Sequence, residues 1–255
     1  MPRRRDASLI DRISRVINDG GFSIVFQPIV DLRTDRAVGF EALTRFADGT
    51  PPERRFIQAA GLGLGLELEA AAVRLALAQA DGLSGDTWVS INVSPALIMA
   101  VEPLAGLVQA SRHAVVLELT EHVPVEDYDA LRAAMRALGP AIRFAIDDAG
   151  AGFASFRHIV ELKPQFVKVN VDLVRAIDRD DARQAFVAGL VYFALKTRCS
   201  LVAEGIETAA ERDALRSIGV GLGQGYLLGR PAPVADLVAR QIAPPDFAPP
   251  RAAGG

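Results

Sequence analysis

Runs of apolar residues alternate along the chain with stretches that have helical periodicity. Seven of these runs have the length and the β-branched or aromatic content of strands, and they are Phe22–Asp31, Ala37–Phe46, Thr87–Asn92, Ala114–Leu119, Ile142–Asp147, Phe166–Asn170 and Ser200–Glu204. Strands that alternate with helices favour a mainly parallel sheet or barrel covered by helices. The polar residues 33–36 separate the first two runs, which predicts an antiparallel hairpin at the start.

The stretches between these runs place apolar residues mostly three, four or seven positions apart, as in a helix buried on one face, and the pattern is weakest in the last stretch. The residues predicted to share a face are Leu66, Val73 and Leu77; Leu131, Met135 and Leu138; Phe186, Leu190 and Phe193; and Ala210, Leu215 and Ile218. Residues 61–69 alternate with period two. The strong helix formers of residues 70–80 favour a loop there that leads into a helix.

Two glycine-rich stretches, residues 61–65 and 221–225, invite comparison with nucleotide-binding loops. Neither fits the dinucleotide-binding pattern after a strand, and the chain has no Gly-Lys-Ser/Thr of a P-loop. Turns and tight packing are therefore predicted for both stretches.

The chain has the length of a single domain. Its 255 residues suit one α/β barrel of roughly 200–250 residues. We expect residues 1–20 to form a helical extension, residues 21–240 to form the main domain and residues 241–255 to be a disordered tail, because that tail carries four prolines and cannot build a core.

Composition narrows the classes of protein that the chain can belong to. A hydrophobic share of 50% and a charged share of 23% are typical of a globular protein with a sizeable core. The single cysteine, Cys199, excludes an internal disulfide and suits a reducing compartment, so a cytoplasmic location is expected. No apolar run approaches the roughly 18 residues that span a bilayer, so no membrane insertion is expected. A net charge of −3 argues against a polynucleotide-coating protein, but allows a local site for a small phosphate ligand.

Polar side chains collect at or near the ends of the predicted strands, and they are Glu41, Asn92, Glu118, Asp147, Asp148, Lys168 and Glu204. In a parallel barrel the carboxyl ends of the strands meet at one rim, where active sites form. Any one of these residues alone is more often a helix cap or a solvated side chain. Clustered carboxylates, however, repel one another unless cations neutralise them. With only three histidines and one cysteine available, the cluster points to Mg²⁺ or Mn²⁺.

Asp147 and Asp148 are neighbours, and neighbouring side chains on a regular strand point to opposite faces. We expect the chain to turn at this point, helped by Gly150 and Gly152, so that both carboxylates face one pocket. Two such groups can serve two metal ions about 3.5–4 Å apart, an arrangement suited to phosphoryl chemistry. Lys168 would then position a water nucleophile or stabilise a pentacovalent phosphate.

The order and spacing of these residues match a known set of motifs, which are Gln27–Leu32, Glu41-Ala-Leu43 with Arg45, Asn92–Ser94, Glu118–Glu121, Asp147–Gly152, Lys168, Ala203–Glu207, Gln224–Tyr226 and Arg230-Pro231. From about Phe22 to Leu237 the chain resembles the EAL domain family, phosphodiesterases of the second messenger cyclic di-GMP. The resemblance implies a modified (β/α)₈ barrel whose first strand runs antiparallel to the others. It also implies hydrolysis of one phosphodiester bond of cyclic di-GMP to give linear pGpG.

The resemblance assigns a role to each motif residue. The first metal ion would be held by Glu41, Asn92, Glu118 and Asp147. The second would be held by Asp147, Asp148 and Glu204. Lys168 would hold the attacking water, and Glu121 would anchor the loop of residues 149–156 beside the metals. The residues that would contact the nucleotide are Gln27, Leu43, Arg45, Gln224 and Glu207.

The chain departs from the family pattern at three places. Ala149 replaces the usual phenylalanine, Asn170 replaces an aspartate, and residues 56–61 lack the usual proline and glutamate. None of these changes removes an expected metal ligand. They put the order of the loop and the rate of turnover in question.

Three functions stay open at this point. The first is an active phosphodiesterase with two Mg²⁺ or Mn²⁺ ions, and the second is a catalytically silent receptor that binds cyclic di-GMP. Retention of Glu41, Asp147, Asp148 and Glu121 favours the first. The third is a barrel with unrelated metal chemistry, because fold does not fix function.

The resemblance also implies partners. A homodimer would form near the loop after Asp148, where the apolar residues Phe153, Phe156 and Ile159 follow. The alternative is that this loop folds onto its own barrel. No sensor domain and no cyclase domain is recognisable in the chain, so two alternatives stay open: a stand-alone protein, or a segment of a larger one with a sensor domain or regulatory partner outside this chain.

Overall fold

Eight strands form a closed barrel in the computed structural model, which describes residues 4–83, 86–119, 125–149 and 153–242. The strands are β1 (Phe22–Asp31), β2 (Arg36–Phe46), β3 (Trp88–Val93), β4 (Val115–Leu119), β5 (Arg143–Ala149), β6 (Phe166–Val169), β7 (Ser200–Ala203) and β8 (Leu222–Gly223). They follow one another around the barrel in chain order. Each strand except the last matches one predicted run closely.

Strand β1 runs antiparallel to both of its neighbours, β2 and β8, whereas every other neighbouring pair is parallel. This confirms the predicted α/β barrel with an antiparallel first strand and an early hairpin. Strands β2 to β8 therefore end at the same end of the barrel, which we call the mouth. Strand β1 begins there, because Phe22 pairs with Phe46 at the end of β2.

Helices surround the barrel, and the described ones are α1 (Arg4–Asn18), α2 (Pro52–Gly61), α3 (Gly65–Ala80), α4 (Pro95–Met99), α5 (Val101–Gln109), α6 (Tyr128–Ala137), α7 (Phe153–Leu162), α8 (Val171–Val174), α9 (Asp181–Thr197), α10 (Ala209–Ile218) and α11 (Val234–Ile242). The loop expected over residues 61–69 is shorter in the structure: it spans residues 62–64, and α3 already begins at Gly65. None of the described helices has the length and apolar character needed to cross a membrane. The expected tail, except for residues 241 and 242, lies outside the described residues.

Several elements were not predicted, and helix α2 and strand β8 show why. Helix α2 carries arginines and a glutamate among few apolar residues, which gives a weak helical pattern. Strand β8 has only two residues, too few to show any periodicity. It lies inside the glycine-rich stretch 221–225, where tight packing is confirmed: a Cβ at Gly223 would come within 2.6 Å of the Ile206 side chain.

Three of the predicted core positions, Leu66, Phe186 and Ala210, lie at the surface instead. Leu66 is 44% exposed because α3 begins only one residue earlier, so its first turn lies against a cavity rather than the barrel wall. Phe186 on α9 is 42% exposed, and its ring packs against Phe156 of α7 at 6.4 Å. The face of Leu131, Met135 and Leu138 is buried as predicted.

The inside of the barrel has an apolar end and a polar end. A cluster of buried apolar side chains fills the end away from the mouth, and its members are Ile29, Val116, Ala145, Phe166 and Val202. Because side chains on a strand alternate between its two faces, the residues two positions closer to the mouth also point inward. Those residues are Gln27, Glu118, Asp147, Lys168 and Glu204. The alternation of side chains along each strand thus places these polar groups inside the barrel at its mouth.

Candidate active site

Lys168 lies at the centre of the polar end of the barrel and is almost fully buried. Its ammonium contacts four carboxylates from four different strands or strand ends. The Nζ atom lies 2.8 Å from Glu204 Oε1, 3.0 Å from Glu118 Oε2, 3.3 Å from Glu41 Oε2 and 3.5 Å from Asp147 Oδ1. Four of the predicted acidic residues, Glu41, Glu118, Asp147 and Glu204, are therefore brought together around one lysine.

The charges of this cluster do not balance, because one ammonium faces four carboxylates. Burial raises the pKa of Glu118 and that of Glu204 to about 8 each, against the attraction of Lys168. Burial opposes the charge on Lys168, but the carboxylates around it, Glu118 first, raise its pKa well above the ordinary value. The cluster is consequently short of positive charge.

Glu41 connects the carboxylates to the amide side chains of the site. Its Oε1 accepts a hydrogen bond from Asn92 Nδ2 at 3.0 Å, and its Oε2 accepts one from Gln224 Nε2 at 2.7 Å. Burial opposes ionisation, but Lys168 and these two donors together hold the pKa of Glu41 below its ordinary value. Glu41 is therefore ionised and accepts hydrogen bonds from both amides.

Two glutamines extend this network. Gln224 Nε2 also donates to Gln27 Oε1 at 2.9 Å, and Gln27 Nε2 donates to the carbonyl of Gly229 at 3.1 Å. Gln27 lies directly opposite Glu41 in the hairpin. Among the described residues, no hydrogen-bond partner is found for the buried Oε1 of Gln224. Gln224 lines the cavity of the site.

An irregularity in β5 falls at the two neighbouring aspartates. Ile146 pairs with Val167, and the next pair is Ala149 with Val169. Two residues therefore lie between the paired positions on β5 but only one on β6, so β5 carries one extra residue there. Such a bulge breaks the strict alternation of side chains. The expected turn at Gly150 and Gly152 lies outside the described residues. The strand itself, which continues to Ala149, supplies an irregularity that the sequence did not predict.

The segment that follows β7 carries Glu204 and Glu207 to the mouth. Gly205 has φ +67, and a Cβ there would come within 2.3 Å of Val171, so the chain passes α8 closely. The backbone N–H of Glu207 donates to the Glu211 carboxylate at 3.0 Å, within the capping network of α10. The Glu207 side chain is left exposed beside the cavity.

A cavity of about 380 Å³ opens at the mouth beside Lys168, and we call it the catalytic cavity. The predicted site residues that line it are Gln27, Glu41, Leu43, Asp147, Lys168, Glu204, Glu207 and Gln224. Arg45 and Asn92 border a neighbouring cavity instead, and the Arg45 guanidinium donates to the carbonyl of Thr44 at 2.8 Å. Glu121 and the side chain of Asp148 lie outside what the structure describes.

Sequence reasoning did not assign a role to two further residues that line these cavities. Tyr226 is 52% exposed at the rim of the catalytic cavity, with the Arg230 guanidinium 4.1 Å from its ring centre. Glu69 borders the neighbouring cavity from α3. Tyr226 stands in a motif that the sequence shows, whereas Glu69 sits in an alternating apolar and acidic stretch that carries no site signal.

A family comparison decides what kind of protein carries this site. The model of the EAL domain matches residues 10–231. The chain belongs to the EAL domain family. Among curated relatives, it is 29% identical over 238 residues to the cyclic di-GMP phosphodiesterase PdeL of Escherichia coli, a match that covers 88% of this chain and 66% of PdeL. The chain spans 39% of the length of the mycobacterial relatives that it matches.

Solved structures of EAL proteins share the fold. An EAL domain protein from Listeria monocytogenes superposes with a TM-score of 0.80 at 22% identity, covering 92% of this chain and 98% of that one. The manganese and cyclic di-GMP complex of BlrP1 from Klebsiella pneumoniae superposes with a TM-score of 0.75 at 31% identity, covering 83% and 56%. Membership of this EAL family supports a function related to cyclic di-GMP and, at the level of the family, hydrolase activity.

Proposed function

We propose that this EAL domain hydrolyses one phosphodiester bond of cyclic di-GMP to linear pGpG, with the help of two Mg²⁺ or Mn²⁺ ions. One observation carries the proposal: the Lys168 ammonium lies within 3.5 Å of four carboxylates beside an open cavity at the mouth of the barrel. An acidic cluster that is short of positive charge suits a ligand that is brought in together with cations.

The donor set fits hard divalent cations in its chemistry. It consists of carboxylate and amide oxygens, which Mg²⁺ and Mn²⁺ prefer. Among the described residues, no three acidic, histidine or cysteine side chains converge as a ready metal site, and the carboxylates turn toward Lys168 instead. The proposed ligands are Glu41, Asn92, Glu118 and Asp147 for one ion, and Asp147, Asp148 and Glu204 for the other. Ions held there would neutralise the phosphate and lower the pKa of water.

The protein's own side chains would act on the water and on the phosphate. In the proposed reaction a water oxygen bonds to phosphorus, one phosphorus–oxygen bond of the ring breaks, and the leaving oxygen takes up a proton. Lys168 Nζ, 2.8 Å from Glu204 Oε1, is placed to orient that water and to offset charge that develops on the phosphate. We assign the neighbouring Asp148 to the same step and Glu121 to anchoring of the loop that follows β5.

The amide groups would bind the nucleotide. The amide of Gln224, which lines the catalytic cavity, can form a hydrogen bond with a sugar hydroxyl or a base. Gln27 and Leu43 border the same cavity, and the exposed carboxylate of Glu207 lies at its rim. Arg45, whose side chain is exposed next to the mouth, would meet a phosphate at the edge of the site.

The first expected result is that hydrolysis depends on a divalent cation. Incubation with cyclic di-GMP and Mg²⁺ or Mn²⁺ should give pGpG by chromatography, and excess EDTA should abolish the product. Ca²⁺ should support binding with little turnover, because its larger and looser ligand shell suits a two-metal reaction poorly. Full activity in EDTA would contradict the metal assignment. Tight binding of cyclic di-GMP without pGpG in any of these metals would instead identify a silent receptor.

We further propose a cytoplasmic homodimer that forms across α7 and α9. Phe156, Val160 and Phe186 are 37%, 58% and 42% exposed on these two helices. Ile159, which the sequence placed in the same apolar set, is buried within its own barrel, and the Phe153 side chain lies outside the described residues. Light scattering at tens of micromolar should give the mass of a dimer, and Val160→Glu should give a monomer. A wild-type monomer with full activity would exclude the dimer from the mechanism.

A further inference from the structure

One buried carboxylate outside the cluster around Lys168 holds the backbone of two loops at the mouth. Glu211 lies in the first turn of α10 and is 6% exposed. Its Oε2 accepts hydrogen bonds from the backbone N–H groups of Glu207 and Thr208, at 3.0 Å each. Its Oε1 accepts one from the backbone N–H of Ala176 at 2.9 Å. This single side chain therefore joins the loop that follows β7 to the turn that follows α8.

The Glu211 carboxylate is held by N–H groups rather than by a cation. Burial opposes its ionisation, but the N–H groups of Ala176, Glu207 and Thr208 together hold its pKa below the ordinary value. In the part of the chain that the structure describes, no lysine or arginine forms an ion pair with it. Hydrogen bonds to a charged acceptor are shorter and stronger than those between neutral groups. The position of this carboxylate consequently fixes the backbone on both sides.

The turn after α8 has a conformation that benefits from such an anchor. Ala176 has φ +57, in the left-handed region, which is unfavourable for a residue with a Cβ. Its hydrogen bond to Glu211 opposes this cost. The neighbouring loop is in close contact with α8, because a Cβ at Gly205 would come within 2.3 Å of the Val171 side chain. Glu211 thus sets the spacing of two segments that already touch.

The loop that follows β7 carries two residues of the proposed site. Glu204 contacts the Lys168 ammonium at 2.8 Å, and Glu207 is exposed beside the catalytic cavity. Between them, Ile206 forms two backbone hydrogen bonds with the segment that follows β8. These bonds hold the middle of the loop, and Glu211 holds the end that enters α10.

We propose that Glu211 is a positioning residue, which places Glu207 for the nucleotide and Glu204 for the metal ions. This inference rests on the proposed function and adds a residue that acts through the backbone and does not line the catalytic cavity. Loss of Glu211 should therefore weaken the binding of substrate and of metal. The chemical step in the fully loaded enzyme should change little.

The inference is tested with Glu211→Ala. KM for cyclic di-GMP should rise about 10-fold, and so should the Mn²⁺ concentration for half-maximal activity, as is common for an indirect partner of a site. At saturating Mn²⁺ and substrate, kcat should stay within about threefold of the wild-type value. Calorimetric titration with Mn²⁺ alone should show the same loss of affinity. A variant that is only less stable has fewer active molecules, which lowers kcat but leaves KM and Mn²⁺ affinity unchanged.

Thr208→Val is the matched control. It removes the hydroxyl that caps α10 and leaves the three backbone donors to Glu211 in place. It should lower the unfolding temperature by about 2–4 °C and change neither KM nor Mn²⁺ affinity. An equal rise of KM in Thr208→Val would indicate a general loosening of α10 and overturn the inference. Unchanged KM and Mn²⁺ affinity in Glu211→Ala would overturn it as well.

Glu211→Asp takes the place of the alanine variant if that variant does not fold. Aspartate keeps the charge in the first turn of α10 but is one methylene shorter, so it cannot reach both segments. It should raise KM and weaken Mn²⁺ binding in the same direction, and wild-type values would contradict the inference. If the wild-type protein binds Mn²⁺ but forms no pGpG, the proposed hydrolysis fails, whereas the calorimetric comparison still decides the role of Glu211. If it binds no Mn²⁺, the metal assignment and this inference fail together.

Discussion

Replacement of Lys168 with methionine should lower kcat by about 100- to 1000-fold while KM changes little. A group that supports the transition state more than the bound substrate has this kinetic signature. The same change should destabilise the metal-free protein by about 3–5 kcal/mol, because it leaves buried carboxylates without their cation. Glu118, which is 1% exposed, has no access to solvent that could offset this loss. Mg²⁺ or Mn²⁺ should restore much of the lost stability.

The measurements are kcat and KM at saturating Mn²⁺, with thermal unfolding in EDTA and in Mg²⁺. Lys163→Met is the control. Lys163 is exposed, so this substitution removes the same charge from the surface of the protein. An unchanged kcat with a raised KM would count against a role in the chemical step. It would instead leave Lys168 as the group that neutralises the acidic cluster for substrate binding.

Glu41→Gln should reduce turnover by more than about 100-fold in a protein that stays folded. Mutation of a residue that only hydrogen-bonds to a metal ligand commonly lowers metal affinity or activity about 10- to 100-fold, and loss of a ligand should cost more. The change removes one charge from the proposed ligand set. It also places an amide N–H₂ where Glu41 now accepts from Asn92 on one side and from Gln224 and Lys168 on the other. The loss of repulsion among the carboxylates opposes the loss of these hydrogen bonds, so we expect the unfolding temperature to change little.

Chromatographic measurement of pGpG checks this result, together with a melting curve for each variant. Glu102→Gln, an exposed change on α5, serves as the control and should behave as the wild type. Activity above about a tenth of the wild-type value in Glu41→Gln would contradict a metal-ligating role.

Much of the barrel could be predicted because its strands are short and buried on both faces. Val115–Leu119 and Phe166–Val169, for example, are nearly continuous apolar runs interrupted by one charged residue each. These charged residues, Glu118 and Lys168, point inward near the mouth. The sequence therefore also indicated which side chains would lie close together in the site. Strand β8 was not predicted because two residues are too few to show a hydrophobic periodicity.

The contacts among the site residues could not be read from the sequence. A lysine side chain is long and flexible, and the spacing of residues along the chain does not say which carboxylates its ammonium will reach. The sequence placed Lys168 at the mouth among the acidic residues, whereas the structure shows that its ammonium contacts Glu41, Glu118, Asp147 and Glu204. The bulge at residues 147–148 likewise depends on pairing with β6, which local sequence does not encode.

The reversed direction of β1 determines which end of the barrel is connected to helix α1. Helix α1 ends at Asn18, and only a short link that contains Gly20 and Gly21 separates it from the mouth end of β1. The carbonyl of Gly21 accepts a hydrogen bond from Ala47 N, just beyond the end of β2, at 3.0 Å. In a barrel whose first strand ran with the others, the same link would join the opposite, apolar end. Here α1 is linked instead to the mouth end of the hairpin that carries Gln27 and Glu41, so a displacement of α1 would reach that hairpin first.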